Sequence, residues 1–260
     1  MATNIAQHTE SALRPVAEPA WRRGFANLLR QENRRWWGTR IWLIQSLIWL
    51  VVVNGAMAMV LWTGPRPAAQ VAAQSVFSIF TGIFGALGVI VSTQGAVVAE
   101  KQQGTAAWIL SKPVSRVAFL VAKWMAHALG LFVTIILLQG SLAYAQFAAA
   151  GAAPSLLPLL GGMGLLTLHL LSYLTLTLML GTVFRSQIPV VGIAILILFV
   201  QPLLAEVYGF GGMLPGVLPL QVPLVLRGDP LPTIVPLIGT TVLTVLCFII
   251  AVWRFEREEF

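Results

Sequence analysis

Six apolar runs constrain this chain more than any motif in it. They lie near Ile41–Trp62, Ser75–Val98, Val117–Phe147, Leu156–Val183, Ile188–Tyr208 and Thr233–Trp253. A transmembrane helix needs roughly 20 consecutive apolar residues, and each run is long enough to span. The third is long enough to tilt strongly or to project beyond the bilayer. Backbone N–H and C=O groups find no water in lipid, so the runs must close their hydrogen bonds internally as helices. A membrane barrel would need segments of about ten residues with alternating polarity, and the sequence has none. The expected fold class is an all-α polytopic membrane protein with six transmembrane helices. Composition agrees: 10% of the 260 residues are charged and 58% hydrophobic, against roughly 25% charged in a soluble domain.

Basic residues orient the spans. The N-terminal arm carries Arg14, Arg22, Arg23, Arg30, Arg34, Arg35 and Arg40. Lys101, Lys112, Arg116 and Lys123 follow the second run, Arg185 the fourth, and Arg254 and Arg257 the last. Of sixteen Lys and Arg, only Arg66 and Arg227 fall in the alternate loops. The positive-inside rule then places both termini in the cytoplasm. Residues 1–40 read as a cytoplasmic arm, 41–253 as the six-span domain and 254–260 as a cytoplasmic tail. A net charge of +7 with this distribution is a topology signal and points to no nucleic-acid partner. Residues 1–20 have no apolar core for a cleavable signal. The single Cys247 allows no internal disulfide.

From Trp21 to Trp37 the apolar residues recur with helical period. At about 100° per residue, Trp21, Phe25, Leu28, Leu29 and Trp36 share one face and the arginines fall largely opposite. The expectation is an amphipathic interfacial helix on the cytoplasmic surface, in contact with membrane lipids; a solvated, topology-setting arm is the alternative. Glu32 interrupts the apolar face near its centre.

The polar passage between the second and third runs, residues 99–116, has to face water. Glu100 sits at a helix C-terminus, where the helix dipole disfavours an anion. It calls for a cation, either Arg116 or a basic residue of a partner. Gly104 breaks the chain direction and Thr105 is placed to cap a short helix, Ala106 to Leu110, with Trp108, Ile109 and Leu110 as an apolar knob. Pro113 disfavours helix at Lys112 and ends it. Ser115 can cap the third span, and Arg116 and Lys123 anchor its end. Such a helix reads as a docking element.

Read together, Glu100, Gly104-Thr105, Leu110-Ser111, Pro113-Val114-Ser115-Arg116 and Lys123 form the pattern E-x₃-GT-x₄-LS-x-PVSR-x₆-K. The pattern resembles that of ABC transporter permeases of the type 2, exporter-like family. Six spans, cytoplasmic termini and an amphipathic N-terminal helix look like the same family along nearly the whole chain. Leu180–Gln187, LGTVFRSQ, is similar to its passage between spans four and five. The resemblance implies a coupling helix in the loop, seated on an ATP-hydrolysing subunit. It gives Glu100, Gly104, Thr105, Trp108, Leu110, Pro113, Ser115 and Arg116 that coupling role. It also implies a second permease copy, an ABC ATPase partner that binds the ATP and Mg, and residence in the cell inner membrane. The chain itself lacks a G-x-x-x-x-G-K-[ST] phosphate loop, so no cofactor and no enzymatic activity are expected in it. A structural anchor for a cytoplasmic partner and an intramembrane enzyme remain the alternatives.

Residues 209–232 are rich in Pro and Gly and apolar, which suggests a re-entrant dip or a loop on the membrane surface. In the family this position looks like elements that shape an outer gate. Glu206, Arg227 and Asp229 are either gate charges or surface charges. His127 and His169 lack carboxylate or thiolate companions, so no metal site is expected; polar packing suits them better. Gly82, Gly85 and Gly88 form a small-residue stripe for close helix packing, within the chain or at a dimer seam. Asn54, Gln139 and Gln146 either line a polar path or join neighbouring spans.

Overall fold

The structure, a computed structural model, describes residues 22–207 and 212–258, without the side chains at 202 and 205–207. Trp21 and the side chain of Glu206 therefore lie outside the described residues. Among those described there is no strand. The helices are α1 (Phe25–Trp37), α2 (Ile41–Thr63), α3 (Ala68–Gln102), α4 (Thr105–Leu110), α5 (Arg116–Ala149), α6 (Leu156–Val183), α7 (Gln187–Val207), α8 (Leu218–Arg227) and α9 (Val235–Glu256). Five of them, α2, α3, α5, α6 and α9, are long and apolar enough to cross a membrane, which gives the chain a multi-pass, membrane-embedded character. The fifth apolar run of the sequence forms α7, whose described apolar stretch, Gln187–Gln201, is shorter than those five.

Breakers set the helix lengths more than hydropathy does. α3 starts directly after Pro67 and ends before Gly104, which has φ 70°. Its 35 residues make about 52 Å of helix, against a hydrocarbon core of about 30 Å. Roughly 20 Å of α3 must therefore stand outside the core or tilt. That surplus supports the loop that follows.

α6 is the centre of the bundle and packs on α3, α7, α8, α9 and the first two-thirds of α5. In its most apolar window 61% of residues are buried, against 17% in α9 and 22% in α2, which lie at the periphery. The glycine stripe of α3 is consumed within the chain. A Cβ at Gly82 would stand 2.6 Å from Pro219, one at Gly85 3.1 Å from Ile135, and one at Gly88 2.5 Å from Trp49. The stripe therefore seats α8, α5 and α2 against α3.

Within 209–232, the described residues form a 3-10 turn, Pro215–Val217, and then α8. Pro219 falls in the first turn of α8, where its missing N–H is not needed, so only Pro223 interrupts the ladder. Leu218, Val222 and Leu226 are buried against the bundle. His169 braces this segment: Nδ1 lies 2.9 Å from the Pro215 carbonyl oxygen and Nε2 3.2 Å from that of Gly82. Gln201 Oε1 accepts from Tyr173 Oη and from the Gly216 N–H, both at 3.0 Å.

α2 and α5 each contain a π-helical stretch, Leu50–Asn54 and Phe132–Leu137. One buried amide pair joins the two spans here. Asn54 Nδ2 donates to Gln139 Oε1 at 2.9 Å, and Gln139 Nε2 donates to the Thr134 carbonyl at 3.0 Å. Gln146 Nε2 approaches Asn54 Oδ1 at 3.4 Å. The three amides form an interhelical clasp in which Gln146 Oε1 alone stays buried without a partner, and the Thr134 carbonyl, within the π-helical stretch, finds a donor.

Candidate functional site

The loop between α3 and α5 is built by local rules. Gly104 takes the left-handed conformation that ends α3 and starts α4. Thr105 does not cap α4; its hydroxyl donates back to the Glu100 carbonyl at 3.2 Å and closes the break. α4 ends at Leu110, and Ser111 Oγ donates to the Trp108 carbonyl at 2.8 Å just before Pro113. Ser115 caps α5, accepting the Ala118 N–H at 2.8 Å, a contact worth about 1 kcal/mol. The expected knob is reduced to one residue. Trp108 is 64% exposed, with the Lys112 ammonium 3.5 Å from its ring centroid. Ile109 and Leu110 pack instead on the core, and Ala106 is buried.

Three cations tie this loop to the rest of the bundle. Lys123, whose side chain is 1% exposed, donates to Glu32 and to Glu100, each at 2.6 Å. The cation beside Glu100 is therefore Lys123, with Arg35 at 3.6 Å. Arg116 turns the other way: its Nη1 donates to the carbonyls of Phe255, Glu256 and Glu258 at 3.2, 2.6 and 2.7 Å. A guanidinium at the C-terminal end of α9 complements the negative end of that helix's dipole. Beside it the Phe119 and Phe255 rings stack at 5.2 Å. Lys101 reaches the end of α6, donating to the carbonyls of Gly181, Thr182 and Phe184 at 3.3, 2.9 and 3.5 Å. With its N–H bonds so directed, it meets the Glu258 carboxylate at 2.8 Å as a charge. Gln102 Nε2 adds a bond to the Arg185 carbonyl at 2.8 Å.

α1 belongs to the same assembly. Leu28 is buried, and Phe25, Leu29 and Trp36 pack against the core, so the face expected to meet lipid meets α5. Trp36 lies on Gly130, where a Cβ would collide with the indole. The Ser115 N–H donates to the Arg23 carbonyl at 3.2 Å, and Val114 fills the space beside Gly24. Glu32, which breaks the apolar pattern, is the residue that fastens α1 to Lys123. A carboxylate central in an apolar face requires a buried cation opposite it, and that was the signal available in the sequence. Glu258 and the backbone carbonyls of the tail carried no such signal.

The remaining sequence-selected residues lie elsewhere. Arg227 and Asp229 pair with each other at 3.2 Å across Gly228, both substantially exposed, at the C-terminal end of α8. His127 Nδ1 lies 2.8 Å from the Lys123 carbonyl and its ring meets Trp36 edge-on at 5.4 Å. Among the described residues no group of three or more His, Cys, Asp or Glu is placed to hold a metal ion.

α4 is a short helix with one exposed indole, and the residues that flank it are ion-paired or hydrogen-bonded to α1, α6 and α9. No curated protein matches this chain. The family described as "Protein of unknown function (DUF2705)" matches residues 42–260, from the start of α2 through the loop, the α6–α7 junction and the tail. With more than four-fifths of its length in that match, the chain belongs to the DUF2705 family.

Proposed function

We propose that this chain is the membrane-spanning permease subunit of an ATP-driven ABC exporter. In this reading α7 completes six spans, both termini are cytoplasmic in the cell inner membrane, and two permease copies pair above two separate ATPase subunits. α4 is the coupling helix. Closure of the ATPases displaces α4, and Lys101, Arg116 and Lys123 pass that displacement to α6, α9 and α1 together. Access at the dimer centre then switches as one unit. ATP and substrate must favour different states for the cycle to run.

The observation that carries this reading is Trp108. An indole left 64% exposed on a six-residue helix, among side chains otherwise drawn into the core, is suited to anchor a partner. Buried aromatic anchors commonly contribute about 2 kcal/mol or more at interfaces, roughly 30-fold in affinity. The test is purification of the full chain from its native membrane in mild detergent. A cytoplasmic protein with a phosphate loop is expected at equal stoichiometry, and Trp108→Ala is expected to lose it while the chain still inserts and folds. Absence of any such protein, or undiminished capture by Trp108→Ala, would overturn the assignment.

A further inference from the structure

A cavity of about 290 Å³ lies between α1, the α1–α2 corner, α3 and α5. It has room for about ten water molecules at ~30 Å³ each. Its lining carries the charges of Glu32, Arg35 and Lys123 together with the indoles of Trp36 and Trp42. Trp37 and Trp42 meet edge-on at 5.2 Å beside it, and paired indoles of this kind sit at headgroup depth in a bilayer. Next along α2, Ile44, Leu47, Ile48 and Val51 are all more than half exposed, a face that acyl chains would cover.

The charges of the wall select the headgroup. Lys123 serves two carboxylates, Glu32 and Glu100, through Oε1 of each, and of the two Glu32 lines the cavity. Glu32 Oε2 carries none of the hydrogen bonds of the described residues and is open to a donor in the cavity. Arg35, 70% exposed, lies 3.6 Å from Glu100, too far for a good hydrogen bond, so its fork is open to another anion. A ligand with a primary ammonium and a phosphodiester satisfies both. We propose that the cavity binds the headgroup of an aminophospholipid of the phosphatidylethanolamine class. The phosphate lies on Arg35, the ammonium donates to Glu32, and the acyl chains run along α2. Choline carries no N–H donor and a glycerol headgroup carries no cation, so neither offers Glu32 a charged donor. The inference requires only that the chain is membrane-embedded and stands whether or not an ATPase partner exists.

The test is native mass spectrometry of the full-length chain in detergent, titrated with dioleoyl phosphatidylethanolamine, phosphatidylcholine and phosphatidylglycerol. One phosphatidylethanolamine per chain is expected to be retained in preference to the other two. Arg35→Ala removes a charge-assisted bond and should weaken retention about tenfold or more. Thr39→Trp, an exposed residue of the cavity mouth, should abolish retention by filling the space without touching the ion cluster. Arg30→Ala, exposed on the same helix but outside the cavity, should change nothing. Equal retention of phosphatidylcholine, preference for phosphatidylglycerol, or full retention by both Arg35→Ala and Thr39→Trp would overturn the proposal.

Discussion

Replacing Lys123 by methionine keeps most of the length of the side chain and removes its charge from between Glu32 and Glu100. All three groups are nearly enclosed, with side-chain exposures of 1%, 12% and 10%. Coulomb attraction holds such a cluster only while it stays neutralised; deleting one partner strands the others, at about 3–5 kcal/mol. For a chain of this size, about 2–4 °C is lost per kcal/mol, so the melting temperature of the detergent-solubilised protein should fall by roughly 10 °C. The loss should be local first, because Glu32 is the polar fastening of α1 on α5. Trypsin should therefore cut α1 at Arg30, Arg34 and Arg35 well before the spans are touched. Converting the whole cluster to neutral groups, Lys123→Met with Glu32→Gln and Glu100→Gln, should recover most of the stability, since no buried charge is then left unpaired. If Lys123→Met melts with the wild type and α1 stays protected, the cluster does not hold the helix and the reasoning fails.

Two further outcomes follow from packing. Gly130→Ala places a methyl group against the Trp36 indole; it should cost about 1–3 kcal/mol through overpacking and blue- or red-shift the fluorescence of that tryptophan as α1 is displaced, whereas Gly164→Ala, with open space at its Cβ, should do neither. Asn54→Leu and Gln139→Leu should each destabilise by a similar amount and the double variant by less than their sum. A coupling energy of about 0.6–1.7 kcal/mol is expected in the double-mutant cycle, and strict additivity would mean the amide clasp between the π-helical stretches contributes nothing.

Much of the architecture was legible because its causes are local. An apolar run announces a helix wherever it packs, and Gly104, Pro113 and Ser115 mark the limits of α4 and the start of α5 through the conformations those residues allow within a few positions. The same logic misread Thr105, since its hydroxyl has two nearby backbone targets and the chain direction at Gly104 decides between them. Ile109 and Leu110 were assigned to an exposed knob because a short apolar helix does not say which of its sides will be covered. Local sequence offers Glu100 either Arg116 or a basic residue of a partner, whereas the fold brings Lys123 to it and sends Arg116 to carbonyls about 140 residues onward.

The sequence by itself determined that this is a helical membrane protein with a short polar-flanked helix between its second and third apolar runs. Hydropathy and backbone restriction act within one element, so they need no knowledge of the rest. The tertiary structure decided what covers each face. An amphipathic helix such as α1 is satisfied equally by lipid or by another helix, and a glycine stripe accepts any neighbour that fits. Only the three-dimensional arrangement chose α5 for Trp36, Pro219 for Gly82, and the tail of α9 for Arg116. A side chain's chemistry states what kind of partner it needs, and the fold alone brings a particular one within reach.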